Sequence, residues 1–170
     1  MATDYLIRRL KCQPGYLRSA YPINNFDERA DGFYQAIRLH GFSTAKSIVH
    51  RLTPSIEGAN ADMAELLDRG EATAPCYFAD NDMIALGAMK AFQARGIRIP
   101  EDVSMVGFDN IPLCNYCVPG LTTINVPKSY LGAMAVARLL RLMEADRFVP
   151  IKLEVQTNLV ERASVRGGGA

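Results

Sequence analysis

Four polar side chains, Asn25, Arg29, Asn81 and Asp109, are of the right types to grip a small hydroxylated molecule. A guanidinium is a planar fork that holds two neighbouring hydroxyls, or one anion, through parallel hydrogen bonds. A carboxamide both donates to and accepts from a hydroxyl, and a carboxylate at a strand end is a strong acceptor. This is a set for binding. General acid–base chemistry needs a second positioned group beside Asp109, and the chain offers none; Glu101 and Asp102 read as a turn after Pro100. Each of the four also has a plainer use. Arg29 beside Asp27 and Glu28 suits a surface ion pair, Asn25 and Asp80 or Asn81 suit helix caps, and Asp109-Asn110 suits a turn.

Other chemistry finds little support. Cys114 and Cys117 have the CxxC spacing, but no second pair and no histidine pair completes a zinc site. They read as two loop thiols. His40 and His50 stand alone, one at a helix end and one on a strand. There is no Gly-x-Ser-x-Gly elbow and no phosphate loop. The expectation is a binding protein without metal or cofactor, and not an enzyme.

The elements that must position these residues alternate between helix and strand, the pattern of a parallel sheet covered by helices. A helix at about 3–9 leads into a strand over Pro14–Arg18. Phe26, Ala30, Phe33 and Ile37 recur at helical spacing, so Asp27–Leu39 is a helix ended by His40-Gly41. Ala45–Leu52 reads as a strand and Ile56–Arg69 as a helix stopped by Gly70. Pro75–Ala79 is a short strand, and a helix capped by Asp80 or Asn81 runs to Arg95 and Gly96. Val103–Phe108 and Leu121–Ile124 are strands, Lys128–Ala145 a helix, and Ile151–Gln156 and Leu159–Arg162 closing strands. Arg29, Asn81 and Asp109 then sit at one edge of one sheet, beyond the carboxyl ends of strands, where open α/β folds bind ligands. Leu131, Met134, Ala135, Leu139, Leu142 and Met143 form a broad stripe that should face a sheet.

The bulk numbers bound the class. The chain has 170 residues, 49% hydrophobic and 22% charged, with net charge +1, which suits one soluble domain and gives no basic excess for gripping nucleic acid. No apolar run reaches membrane-spanning length and the N-terminus lacks signal-peptide character. The expected location is the cytoplasm, where the four cysteines remain free thiols.

The stretch Phe78-Ala-Asp-Asn-Asp-Met-Ile-Ala-Leu-Gly, the run Gly96-Ile-Arg-Ile-Pro-Glu-Asp-Val-Ser-Met-Val-Gly-Phe-Asp-Asn and Pro119-Gly-Leu-Thr-Thr-Ile resemble the effector-sensing half of the LacI/GalR family of bacterial transcription regulators. The resemblance spans about residues 3 to 166. It implies a Rossmann-like lobe of a type I periplasmic-binding-protein-like sensor, helices on both faces of the sheet, with most of the first lobe and the helix-turn-helix head missing. Residues 1–124 and 150–166 would be the C-terminal lobe. Residues 125–149 would be a crossover segment belonging to the N-terminal lobe, and 167–170 a flexible tail. Arg29 in Arg29-Ala-Asp-Gly-Phe33, with Asn25, Asn81 and Asp109, would bind an effector, a sugar or sugar derivative; Lys128 is left as a solvated helix-start lysine or a further contact. Met83, Leu86 and Tyr116 would lie on a homodimer seam. Operator DNA would be contacted only through the absent head. The alternative is a stand-alone or periplasmic-type sugar-binding protein with no DNA-binding role. The chain departs from the family at Leu10-Lys11, where a Gly-His pair is usual, and at Pro14, which suits a strand's first residue or an edge.

Overall fold

The computed structural model describes residues 1–144 and 149–167. In chain order the elements are α1 (Ala2–Leu10), β1 (Gly15–Ser19), α2 (Asn24–Leu39), β2 (Val49–Leu52), α3 (Ile56–Asp68), β3 (Cys76–Ala79), α4 (Asp82–Gln93), β4 (Ser104–Asp109), β5 (Thr122–Asn125), α5 (Lys128–Glu144) and β6 (Asn158–Val160). The strands form one sheet in the order β2-β1-β3-β4-β5-β6. The first five are parallel and β6 runs antiparallel beside β5.

Side chains alternate across a strand, so each strand feeds two cores. Tyr16, Cys76, Phe78, Val106 and Ile124 face α1 and α2, where they meet Leu6, Ile7, Phe33 and Ile37. Leu17, Tyr77, Ala79 and Met105 face α3 and α4, where they meet Met63, Ile84, Met89 and Phe92. With both faces covered, β3 is buried along its whole length, as expected for a central parallel strand. Phe26, Ala30, Phe33 and Ile37 are all buried on α2. The helix ends also follow the sequence, with Gly41 and Gly96 at φ of +76° and +73° just past α2 and α4.

Five expectations need correction or limits. The segment from Ala45 is not all strand: Thr44–Lys46 is a 3-10 turn and only Val49–Leu52 pairs with β1. Ile151–Gln156 forms no strand. The ladder on β5 holds only Asn158, Leu159 and Val160, because the backbone N–H of Arg162 already donates to the Thr122 hydroxyl at 2.9 Å. Pro14 precedes β1, a central strand, so its missing N–H costs the ladder nothing. The helix end at Ala145 and all but Gly167 of the 167–170 tail lie outside the described residues.

The stripe on α5 meets no sheet. None of its residues described for burial is buried, and Leu139, Leu140 and Met143 are more than half exposed. A hollow of about 610 Å³ runs along it, lined by Leu131, Met134, Leu139, Leu142, Ile151 and Leu153 among others.

Helices α3 and α4 approach closely at Gly87. A Cβ there would lie 2.5 Å from the Ile56 carbonyl oxygen and 2.7 Å from the Ala59 Cβ. Gly87→Ala therefore forces the two helices apart and costs about 1–3 kcal/mol, the usual range for overpacking. Urea unfolding measures the loss, and a midpoint unchanged from the parent would contradict the close packing.

Candidate functional site

The strand order reverses between β1 and β3, since the chain moves one way to β2 and returns on the other side to β3. In open α/β sheets the crevice beyond such a switch point is where ligands bind. The loop after β1, the start of α2, the loop after β3 and the end of β4 meet there.

Arg29 sits in the second turn of α2 and points into this crevice. Its Nη1 donates to the Asp80 carbonyl oxygen, and its Nη2 lies 3.7 Å from Asp109 Oδ1. The guanidinium carbon is 3.9 Å from the centroid of the Phe108 ring and 5.3 Å from that of Phe26. Such contacts hold a guanidinium flat against an aromatic face. Arg29 makes no ion pair with Asp27 or Glu28; Asp27 accepts instead from Arg18 Nη2 at 2.5 Å. The surface-pair alternative does not describe this arginine.

Asp109 ends β4 with φ of +108°, and Asn110 follows at +54°, conformations rare for residues with a Cβ. The pair turns the chain sharply, leaving the Asp109 side chain a third exposed. Burial raises its carboxyl pKa; Arg29 and Lys128 oppose the rise and Asp82 adds to it. Lys128 reaches the Asp109 backbone, its ammonium donating to the carbonyl oxygen.

Asn25 is exposed on the first turn of α2 and lines a cavity of about 380 Å³ with Arg29, Phe78, Phe108, Ile124 and Thr157. It is not the helix cap, which is Ile23. Asn81 is less committed to the crevice. Its Oδ1 accepts from Ile84 N at 2.9 Å as the cap of α4, and it does not line the cavity. Its amide nitrogen has no protein partner among the described residues and remains free to donate. Thus Arg29 and Asp109 come together, Asn25 shares the cavity with Arg29, Asp109 stands behind Arg29 without lining the cavity, and Asn81 stands at the adjacent helix start.

The residues that sequence reasoning missed form the floor. Asp80 and Asp82 are wholly buried. Asp80 accepts from the Tyr16 hydroxyl and, at 2.6 Å, from Ser19 N. Asp82 accepts from the Thr123 hydroxyl at 2.5 Å and from Ile111 N at 2.8 Å. Desolvation raises both carboxyls above the usual range, against those hydrogen bonds. They stitch β3 and α4 to β1, β5 and the loop after β4, fixing the backbone that carries Arg29's acceptor and Asp109. Phe108 was also missed as a platform. The available signal was an aromatic immediately before the strand-end Asp109.

Of the three residues expected on a dimer seam, Tyr116 is 81% exposed, while Leu86 lies in the α3–α4 core with its edge at the surface. A hollow of about 340 Å³ is lined by Leu86, Met89, Leu113, Tyr116 and Val118 among others. Met83 is half-buried and does not line it. The CxxC cysteines are free thiols, with Cys117 Sγ donating to the carbonyls of Cys114 and Pro119. Among the described residues no cluster of three or more His, Cys, Asp or Glu could hold a metal ion, and no helix is long and apolar enough to cross a membrane.

Residues 4–165 match the family described as periplasmic binding protein-like domain. The ribose operon repressor of Halalkalibacterium halodurans is 33% identical over 169 residues, 99% of this chain and 50% of that protein. The HTH-type transcriptional regulator GalR of Escherichia coli is 32% identical over 167 residues, 97% of this chain and 48% of that protein. Among solved structures, a LacI family transcriptional regulator from Enterococcus faecium with bound ribose superposes with a TM-score of 0.87 at 30% identity, over 96% of this chain and 60% of that one. The chain spans about half the length of the curated relatives it matches.

Proposed function

Since the chain belongs to the periplasmic binding protein-like family, in the form that LacI/GalR-type regulators carry, we propose that it is the effector-sensing part of such a regulator. The effector is a sugar or sugar derivative. Residues 1–124 and 150–166 make the lobe that holds it, and 125–149 the segment that crosses to a second lobe. The observation that carries the reading is the Arg29 fork, laid on Phe108, lining an open cavity at the switch point, with Asp109 3.7 Å from it. Vicinal hydroxyls fit the fork, ring C–H groups fit an aromatic wall, and Asp109 accepts from a further hydroxyl. Names of relatives point the same way: one regulates a ribose operon, and one solved neighbour holds ribose.

In the intact regulator the ligand binds between two lobes, and its unequal affinity for the open and closed forms shifts the geometry of a homodimer on operator DNA. The seam runs over Leu86 and Tyr116, with Met83 beside it. The sensing chain performs no turnover, needs no cofactor and works in the cytoplasm.

D-ribose titrated into the 170-residue chain, followed by amide NMR, tests the reading. Saturable shifts at Asn25, Arg29, Phe108 and Asp109 support it. If ribose, galactose and their phosphates all leave those amides unmoved at millimolar concentration, the sugar-sensing reading falls. The pH dependence is a second check. With its folded-state pKa raised by burial, Asp109 contributes stability that is complete below the ordinary carboxylate value and lost as pH rises through the folded value. Sugar binding runs the opposite way, because the carboxylate is the better acceptor, and so weakens as pH falls through that same raised value. In Asp109→Asn the affinity is lower and its pH slope disappears; a slope that persists would assign the titration to another group.

A further inference from the structure

One guanidinium outside the crevice holds three separate parts of the chain. Arg162 Nη2 donates to Asn110 Oδ1 at 2.8 Å, Nη1 to the Leu121 carbonyl oxygen at 2.7 Å, and Nε to Asn115 Oδ1 at 2.9 Å. Its own backbone is pinned to β5. The Arg162 N–H donates to the Thr122 hydroxyl at 2.9 Å, and that hydroxyl donates to the Arg162 carbonyl oxygen at 3.2 Å. Gly120 leaves room for the stem: a Cβ there would stand 3.3 Å from Arg162 Cδ.

The three acceptors are not equivalent in position. Asn110 follows Asp109 directly, in the left-handed turn that aims the carboxylate. It is tied again by its Nδ2, which donates to Asn125 Oδ1 at 3.0 Å. Asn115 precedes Tyr116, the most exposed aromatic of the surface hollow over Leu86 and Val118. A rigid planar donor that bonds both ends of the 110–115 segment makes that segment move as one body.

The geometry points to Arg162 as a positioning residue that couples the state of Asp109 in the crevice to the Tyr116 surface. The assignment takes Asp109 as an effector contact from the reading above, but the linkage is physical and does not need the ligand to be observed. Neutralising or engaging Asp109 shifts the turn at 109–110. Arg162, bonded to Asn110 on one side and Asn115 on the other, carries that shift to the surface where a second copy would sit. Lysine cannot do this, because one ammonium on a flexible stem does not span three acceptors in fixed directions.

A ligand-free cycle of variants tests it. In the parent chain, Asp109→Asn is expected to shift the ring resonances of Tyr116 and the amides of 113–116. In an Arg162→Lys background the same substitution is expected to shift them by at most half as much, and the titration midpoint of Asp109 is expected to move. Asn115→Ala cuts only the outer bond: it reduces the Asp109-to-Tyr116 response at least twofold and leaves the Asp109 titration where it was. A response of equal size in the parent and in Asn115→Ala overturns the proposal. If Arg162→Lys does not fold by far-ultraviolet circular dichroism, the Asn115→Ala comparison decides alone. Failure of ribose to bind would remove the sugar reading and leave this result standing, so the two failures are told apart.

Discussion

Arg29→Ala is expected to weaken sugar binding on the order of a hundredfold while the domain stays folded. On the proposed reading the guanidinium would supply two charge-assisted hydrogen bonds to the ligand, and bonds to charged groups contribute about 1.5–3 kcal/mol each. Losing the pair, less what water restores, weakens binding by about 3 kcal/mol, on the order of a hundredfold in Kd. The fold does not depend on it to that degree. Arg29 contributes one bond to a backbone carbonyl and an ionic contact at 3.7 Å to a part-exposed carboxylate, a pairing of small net value. Arg29→Lys keeps the charge and loses the fork and the flat contact with Phe108, so affinity falls about tenfold or more. Titration calorimetry with ribose, beside a thermal melt of each variant, separates the two effects. Binding within threefold of the parent in Arg29→Ala would remove this residue from the site.

The largest loss of stability is expected at Gly107→Ala. A Cβ on Gly107 would stand 2.2 Å from Asp82 Oδ1 and 3.1 Å from Leu121 Cδ2. The carboxylate has nowhere to retreat. It is wholly buried, with one oxygen held by the Thr123 hydroxyl and the other by Ile111 N. Pushing it aside breaks at least one of those bonds and leaves a charged oxygen without a partner away from water. Leaving a buried charged oxygen unpartnered costs about 1–3 kcal/mol or more, and the overlap itself adds about 1–3 kcal/mol, together a large share of the roughly 5–15 kcal/mol that holds a domain together. The variant is expected to melt at least 10 °C lower or to be recovered insoluble; a melt within 2 °C of the parent would mean that β4 and α4 do not meet as described. Asp82→Asn in the Gly107→Ala background does not rescue it, since the clash is steric and an amide group occupies the same space.

Much of this architecture was open to reading along the chain. The alternation of helix and strand, the α2 face at Phe26, Ala30, Phe33 and Ile37, and the stops at Gly41 and Gly96 are local signals and match the structure. So is the gathering of Arg29 and Asp109 at one sheet edge. What escaped is set by partners distant in sequence. Asp80 reads as a helix cap and Asp82 carries no signal of its own, but their partners are Tyr16 and Ser19 on β1 and Thr123 on β5. Only the sheet order brings those together. Asn81 carries two expectations, helix cap and crevice contact; the structure gives its oxygen to the α4 cap and leaves the contact to its amide nitrogen. Ile151–Gln156 alternates like a strand, yet none of it pairs with the sheet, where β5 is already flanked by β4 and β6.

The apolar length of α5 has a thermal consequence. Leu139, Leu140, Met143 and Ile151 are each more than half exposed, and the water against them is ordered at a cost that changes steeply with temperature. Any surface laid along that helix releases this water, and such burial carries a negative heat-capacity change. The driving force from releasing it fades as the solution is cooled. An assembly seated on α5 is therefore expected to loosen in the cold, with an association enthalpy that grows more favourable on warming, whatever the polar chemistry at its margins.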